Sequence, residues 1–344
     1  MRYKKQIIDH IDKCYALTIM EQGGQLFLVA AGEKDAPCRI YEICGSRIDQ
    51  VWEHPGGVMT MVPVPNSRDT FLSTQAFFSP DDSKDAYLIC AHKQAGRWNL
   101  TKILDIPHIH RFDIIPKNGI HYLIACTLKS GHAYSNDWRS PGCIWTGVLS
   151  DDPSKPLRLS VFREGLTHNH GYTRFIKGGI ISCVISCDEG VFLASPPAGP
   201  GREWTMEQLL NIPASDAVLI DLDGDGHEEL LTLSPFHGDT VAIWHMDHGT
   251  YQKVYEYPEK LPFLHAITAG NIYGIPTVFV GHREGQKLLL SFYYDRARNR
   301  YQCTKIDQNT GPANCMLFAR NGNPALFVTN REINEVAVYD IFPD

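Results

Sequence analysis

The chain of 344 residues has 43% apolar and 21% charged side chains and a formal net charge of −7, the profile of a globular chain that can bury a large core. The acidic balance argues against nucleic acid or an acidic membrane as partner, since either needs a basic face. No run of about 18 apolar residues occurs, so no helical membrane span is expected.

The chain opens Met1-Arg2-Tyr3-Lys4-Lys5-Gln6-Ile7-Ile8-Asp9-His10, without the apolar stretch and small-residue cleavage site of a secretory signal. Its ten cysteines form no CxxC pair, and most, including Cys44, Cys90, Cys126, Cys183, Cys187 and Cys315, fall in apolar strand-like runs. They read as reduced, buried residues of a cytoplasmic protein.

From Cys14 onward one phrase recurs: an apolar strand, a short Gly/Asn/Asp turn, a second apolar strand. Copies begin near Cys14, Val58, His110, His170, Asp216, His265 and Asn314, at a spacing of roughly 45 to 60 residues that marks a strand repeat. The copy at His265 is the clearest, with four strand-like runs beginning at His265, Thr277, Lys287 and Tyr301. Four antiparallel strands on short turns make one propeller blade. Only residues 203–211 carry a pattern that suits a helix. The last copy has three strands, ending in Glu335–Phe342, and the stretch from Tyr3 matches the fourth strands of other copies. The expected fold is therefore all-β: a single seven-bladed β-propeller over residues 1–344, with four-stranded blades. Residues 3–9 pair with the C-terminal blade and close the ring, which removes exposed sheet edges.

Counting back nine residues from the turn glycines Gly119, Gly179 and Gly274 gives His110, His170 and His265; Asp216 and Asn314 stand near the same level in their own copies. A propeller brings such equivalent positions to one axis. Imidazoles with a carboxylate suit a divalent metal such as Zn, Mn or Mg. The same histidines could instead bind ordered water or the substrate directly. His108 and His168 lie two residues earlier, and strand alternation would turn them into the same funnel as an acid–base pair.

The longest loop, from Thr127 to Gly142, carries His132, Tyr134, Asp137, Trp138 and Arg139. Long loops in compact rings are more often functional than not. Corresponding loops add His237, His282, Arg283, Glu284, Arg331 and Glu332, either as solvated charge or as the rim of a polar pocket for a small sugar or oligosaccharide. In the fifth copy, Asp221, Asp223, Asp225 and Glu229, with Gly226, have the spacing that wraps a hard cation. A tight acidic turn without an ion fits the spacing equally well.

The phrases Pro107-His-Ile-His110-Arg-Phe-Asp113, Asp137-Trp-Arg-Ser-Pro-Gly142, His168-Asn-His170-Gly171, Asp221-Leu-Asp-Gly-Asp-Gly226 and Gly281-His-Arg-Glu-Gly285 resemble the propeller domain of the aldos-2-ulose dehydratase family, with its VCBS/FG-GAP-like repeats. No counterpart of the cupin domains that follow that propeller is seen. More distantly, the architecture is similar to propeller polysaccharide lyases such as ulvan lyase and rhamnosyl-glucuronate lyase. The resemblance implies a structural calcium at the acidic turn and β-elimination on a keto-sugar or uronic acid. A metal on His110, His170 and His265 would polarise the carbonyl. His168 or His132 would take the proton, and Tyr134 or the partner histidine, His108 among them, would protonate the leaving oxygen. Arg139 or Arg283 would hold an oxyanion, with Trp138, His282 and Arg331 contacting substrate. Two other readings remain: a metal-dependent glycoside or lactone hydrolase or isomerase, and a non-catalytic binding propeller.

Overall fold

The computed structural model describes residues 1–67, 69–78, 82–199 and 202–344. The fold is a seven-bladed β-propeller, each blade a four-stranded antiparallel sheet. The first strands of blades one to seven are Cys14–Gln22, Met61–Pro63, Ile109–Lys117, Gly171–Lys177, Asp216–Ile220, Leu264–Ile272 and Pro312–Arg320. A short 3₁₀ turn, Arg331–Ile333, is the only helical element among the described residues.

Two compact units divide the chain. One comprises Ile8–His170 and Pro196–Thr205 and carries blades one to three; the other comprises Met1–Ile7, Gly171–Ser195 and Met206–Asp344 and carries blades four to seven.

Strand chemistry within a blade is graded. Second strands such as Ile120–Thr127 and Ile275–His282 are buried along most of their length, and they read as near-continuous apolar runs because neighbouring layers cover both faces. Fourth strands such as Arg97–Asp105 and Thr250–Glu256 are largely exposed, and their polar side chains discourage further pairing at an edge. Blades five and six pack through Val218, Leu231, Ile243, Val278, Leu290 and Phe292. Burying each such side chain contributes about 1.5–3 kcal/mol.

Blade seven is completed as its sequence implies. Arg2–His10 pairs with Glu335–Phe342. Lys5 Nζ lies 2.5 Å from Glu335 and 3.1 Å from Asp307, Arg320 Nη2 donates to Gln6 at 2.6 Å, and the N-terminal amine meets Asp344 at 2.7 Å.

Two local expectations are corrected. Residues 205–210 form the fourth strand of blade four; pairing along the sheet satisfies its backbone in a way an isolated short helix could not. Cys44 lies in the turn after Cys38–Glu42, exposed, with its thiol 3.2 Å from Glu42. Eight other cysteines are buried, and all ten are free thiols.

Candidate functional site

The count of nine has a structural origin. Asn118-Gly119, Tyr273-Gly274 and Asn321-Gly322 each have two successive positive φ angles, near 51° and 80°, the mark of a type I′ hairpin turn. At the other end of the same hairpins the register slips by one. Ile109 faces Thr127 while Arg111 faces Cys126, which leaves His110 as the extra residue; His265 is the extra residue between Leu264 and Ala266. Tyr15 and Ala313 occupy the same bulge in blades one and seven. A bulge re-aims one side chain out of the strand alternation. Asn314 is therefore not the equivalent position, because it pairs with Thr329 one residue beyond the bulge. The same count from Gly24 and Gly322 would have found Tyr15 and Ala313.

In the unit of blades one to three, His110 is fully engaged. Its Nε2 is 3.2 Å from the Tyr15 hydroxyl and its Nδ1 is 3.3 Å from the His170 carbonyl oxygen, with the two histidine rings 4.4 Å apart. Both nitrogens have partners within the protein, which brace the ring.

His108 and His168 do not share strand geometry with His110 and His170. Both precede their strands with left-handed φ, 62° and 49°, so the alternation argument does not apply. His108 is 2% exposed and its Nδ1 lies 2.7 Å from Ser83 Oγ. Burial first, then the charges of His132 and Lys129, lower its pKa to about 4, so it is neutral near pH 7 and unsuited to protonate a leaving group. The His132 ring meets it edge-on at 5.1 Å, and the buried His132 Nδ1 has no hydrogen-bond partner among the described residues. The Trp138 ring lies 4.5 Å from His168.

Beneath this group lies Lys129, which sequence reasoning passed over and for which no sequence signal exists. It is 1% exposed, and Nζ donates to the carbonyls of Ser135 and Asp137 and sits 4.3 Å from the Trp138 ring centre. A cation over an indole face is attractive and holds both groups. Asp137 turns its carboxylate to Arg139, at 2.7 and 2.6 Å, and to the Ala133 amide at 3.0 Å. The Arg139 bonds, then the amide, hold the carboxyl well below its usual range. Arg139 thus spends Nε and Nη2 on Asp137, while its side chain stays largely exposed. Tyr134 is largely exposed.

In the unit of blades four to seven, His265 is 2% exposed and its Nδ1 meets the Ala313 carbonyl oxygen at 2.6 Å. That bond places the proton on Nδ1 and gives Nε2 the lone pair, the tautomer that binds metals. The His237 ring, which the sequence placed only among loop residues, lies 5.5 Å from that of His265 and 4.3 Å from that of Phe263. Asp216 is buried on its strand but joins no group of three ligating side chains among the described residues.

Arg283 and Arg331 are also spoken for. Arg283 approaches Glu332 at 2.9 Å and lies 4.4 Å from the Phe263 ring, while Arg331 reaches the same Glu332 oxygen at 2.8 Å. Burial works to raise the Glu332 pKa, but the two arginine charges outweigh it and lower it. The two cations share one carboxylate, so the trio keeps a net positive charge. His282 is buried with Nδ1 3.1 Å from the Pro262 carbonyl oxygen; burial lowers its pKa, so it too is neutral.

The acidic turn of blade five folds around its own amides. Asp221 accepts from Gly224 and Gly226, Asp223 from Asp225, and Asp225 from His227. Glu229 is fully buried and accepts from the Leu222 amide at 2.6 Å through one oxygen. Burial, then Asp223, raises its pKa to about 7.

No family model and no curated protein matches the sequence. Among solved structures, the chain is similar to a periplasmic gluconolactonase of Pseudomonas aeruginosa, with a TM-score of 0.59 at 13% identity over 97% of this chain and 92% of that one. A putative 6-phosphogluconolactonase of Bacteroides fragilis gives a TM-score of 0.57 at 13% identity over 95% and 90%. At that identity the likeness is one of fold: the chain shares the propeller architecture of these two proteins across nearly its whole length.

Proposed function

We propose that the protein hydrolyses a small sugar-derived ester, a sugar lactone, with His132 as general base and His168 as general acid. The observation that carries this is His132 Nδ1, buried without a hydrogen-bond partner among the described residues and set against the neutral His108. Ser83 orients His108, and Lys129 fixes the indole of Trp138 beside His168. An indole beside a general acid is a natural platform for the apolar face of a sugar ring. The names of the two fold neighbours, both lactonases, also favour a lactone over the keto-sugar elimination implied by the dehydratase resemblance.

In this mechanism the His132 imidazole takes a proton from water as the oxygen bonds to the lactone carbonyl carbon. The ring C–O bond then breaks, and His168 protonates the departing alkoxide, leaving a hydroxy acid. Within the other unit, His237 and His265, with rings 5.5 Å apart, could contribute imidazoles to a divalent metal, and the Ala313 carbonyl presets the His265 tautomer; such an ion would supply Lewis acidity.

The test is proton release from a panel of sugar lactones in a pH-stat, above the spontaneous rate, with ultraviolet absorbance recorded on the same panel and on keto-sugars. Turnover without a new alkene band is the expected result. An alkene band from a keto-sugar would replace hydrolysis by elimination. Neither signal from any substrate would leave a binding propeller.

A further inference from the structure

The acidic turn of blade five holds more than its sequence pattern suggests. His245, from the third strand of the same blade, Thr240–Asp247, brings Nε2 to 3.0 Å from Asp225 Oδ2 and 3.9 Å from Glu229 Oε1. One ligand atom each from Asp223, Glu229 and His245 lies within 4.8 Å of the others. Glu229 is 0% exposed; its Oε2 is bound to the Leu222 amide, and its Oε1 is buried with no hydrogen-bond partner among the described residues. A buried carboxylate oxygen left without a partner is costly. It faces the His245 imidazole, with the Tyr301 hydroxyl beside the same carboxyl.

A cavity of about 860 Å³ opens beside these groups, with Tyr255, Tyr257, Tyr294 and Tyr301 lining it next to Asp223 and His245. The Tyr301 ring lies 5.0 Å from Tyr294 and 5.6 Å from Tyr255. An ion on the three side chains would thus keep open positions toward a wet, aromatic-walled space.

We infer that Asp223, Glu229 and His245 form a binding site for one divalent transition-metal ion, zinc in preference to calcium, open to the tyrosine-lined cavity. The donor chemistry decides between the ions. Calcium takes six to eight oxygens and commonly a bidentate glutamate. Here one oxygen each of Glu229 and Asp223 and both Asp221 oxygens accept from backbone amides, and the third donor is nitrogen. Two single carboxylate oxygens with one imidazole, and room for water, is the donor set of an open zinc site. The calcium reading of the turn used Asp221, Asp223, Asp225 and Glu229, of which the three aspartates also lie close enough to hold an ion. Asp223 and Glu229 belong to both sets, so the two occupancies compete.

The competing sets differ at single residues, which makes the test sharp. Cobalt(II) and zinc titrations of the full chain, followed by the cobalt visible spectrum and by melting temperature, are compared for wild type, His245→Ala, Asp223→Asn, Asp221→Asn and His265→Ala. His245 is partly exposed, and each variant's far-ultraviolet circular dichroism reports whether it folds. The expected result is one equivalent of zinc or cobalt that His245→Ala and Asp223→Asn each weaken at least tenfold. Asp221→Asn and His265→Ala should retain it, which separates this site from any ion on the histidines of the proposed active site. Zinc binding unchanged in His245→Ala would overturn the inference. So would calcium binding tighter than zinc, abolished by Asp221→Asn and indifferent to His245→Ala; that outcome would establish the calcium turn instead. Absence of the equivalent in folded wild type would also overturn it.

Discussion

The loop from Thr127 to Gly142 and the turn from Asp221 to Glu229 treat buried ionisable groups in opposite ways. The loop buries bases: His108, packed against its His132, is neutral, and Lys129 is spread over two carbonyls and an indole face. The turn concentrates acids, and its one fully buried member, Glu229, keeps an oxygen without a hydrogen-bond partner among the described residues. An imidazole can shed its charge at little cost near neutral pH, so a cluster of histidines is stable with nothing bound and remains able to move protons. Packed carboxylates repel one another and can be relieved by a cation. The first arrangement suits catalysis and the second suits ion binding.

The largest effect that would break this contrast lies in the loop and in His168 beside its Trp138. His132→Ala and His168→Ala should each lower kcat on a turned-over lactone by about 10²–10⁴-fold, with the melting temperature little changed. Full activity in both would leave the loop without a chemical role.

Acid titration of stability comes next. His108 has a folded pKa of about 4 against an ordinary 6.5. Below 6.5 the unfolded chain takes up a proton that the folded chain refuses, so stability falls as pH drops from 6.5 to 4. The loss is up to about 3 kcal/mol. Denaturant melts of wild type and His108→Gln across that window should diverge at neutral pH and converge at the acid end. Parallel curves would mean that His108 is not buried neutral.

Gly142 closes the loop. A Cβ there would lie 1.8 Å from the Thr127 carbonyl oxygen, so Gly142→Ala must shift backbone and should cost about 1–3 kcal/mol, read as a lower denaturation midpoint. The smallest expected effect belongs to Lys129→Met. It keeps the stem but removes one of the charges that lower the His108 pKa, so His108 followed by NMR should titrate at a pH higher by roughly a few tenths of a unit. A downward movement would contradict the placement of Nζ.

Much of the fold was legible in the sequence, since strand runs and short turns are local and the strand pattern repeats in seven blades. Even the N-terminal strand of the last blade could be read, because its residues match other fourth strands. The helix considered at 203–211 failed because short amphipathic runs do not reveal whether a neighbouring strand will satisfy their backbone. The count of nine found His110 and His265 at their bulges; which nitrogens those rings would spend on Tyr15, His170 and Ala313 was not readable.

The sequence by itself determined the blades, the turns and the list of chemically capable residues, because each depends on patterns a few residues long. Only the tertiary structure decided which of those residues were already spent. Arg139 is matched to Asp137, Arg283 and Arg331 to Glu332, and His245 joins a turn that lies 20 residues before it in the chain. Side chains meet through packing between strands and loops, and spacing along a single strand does not report it.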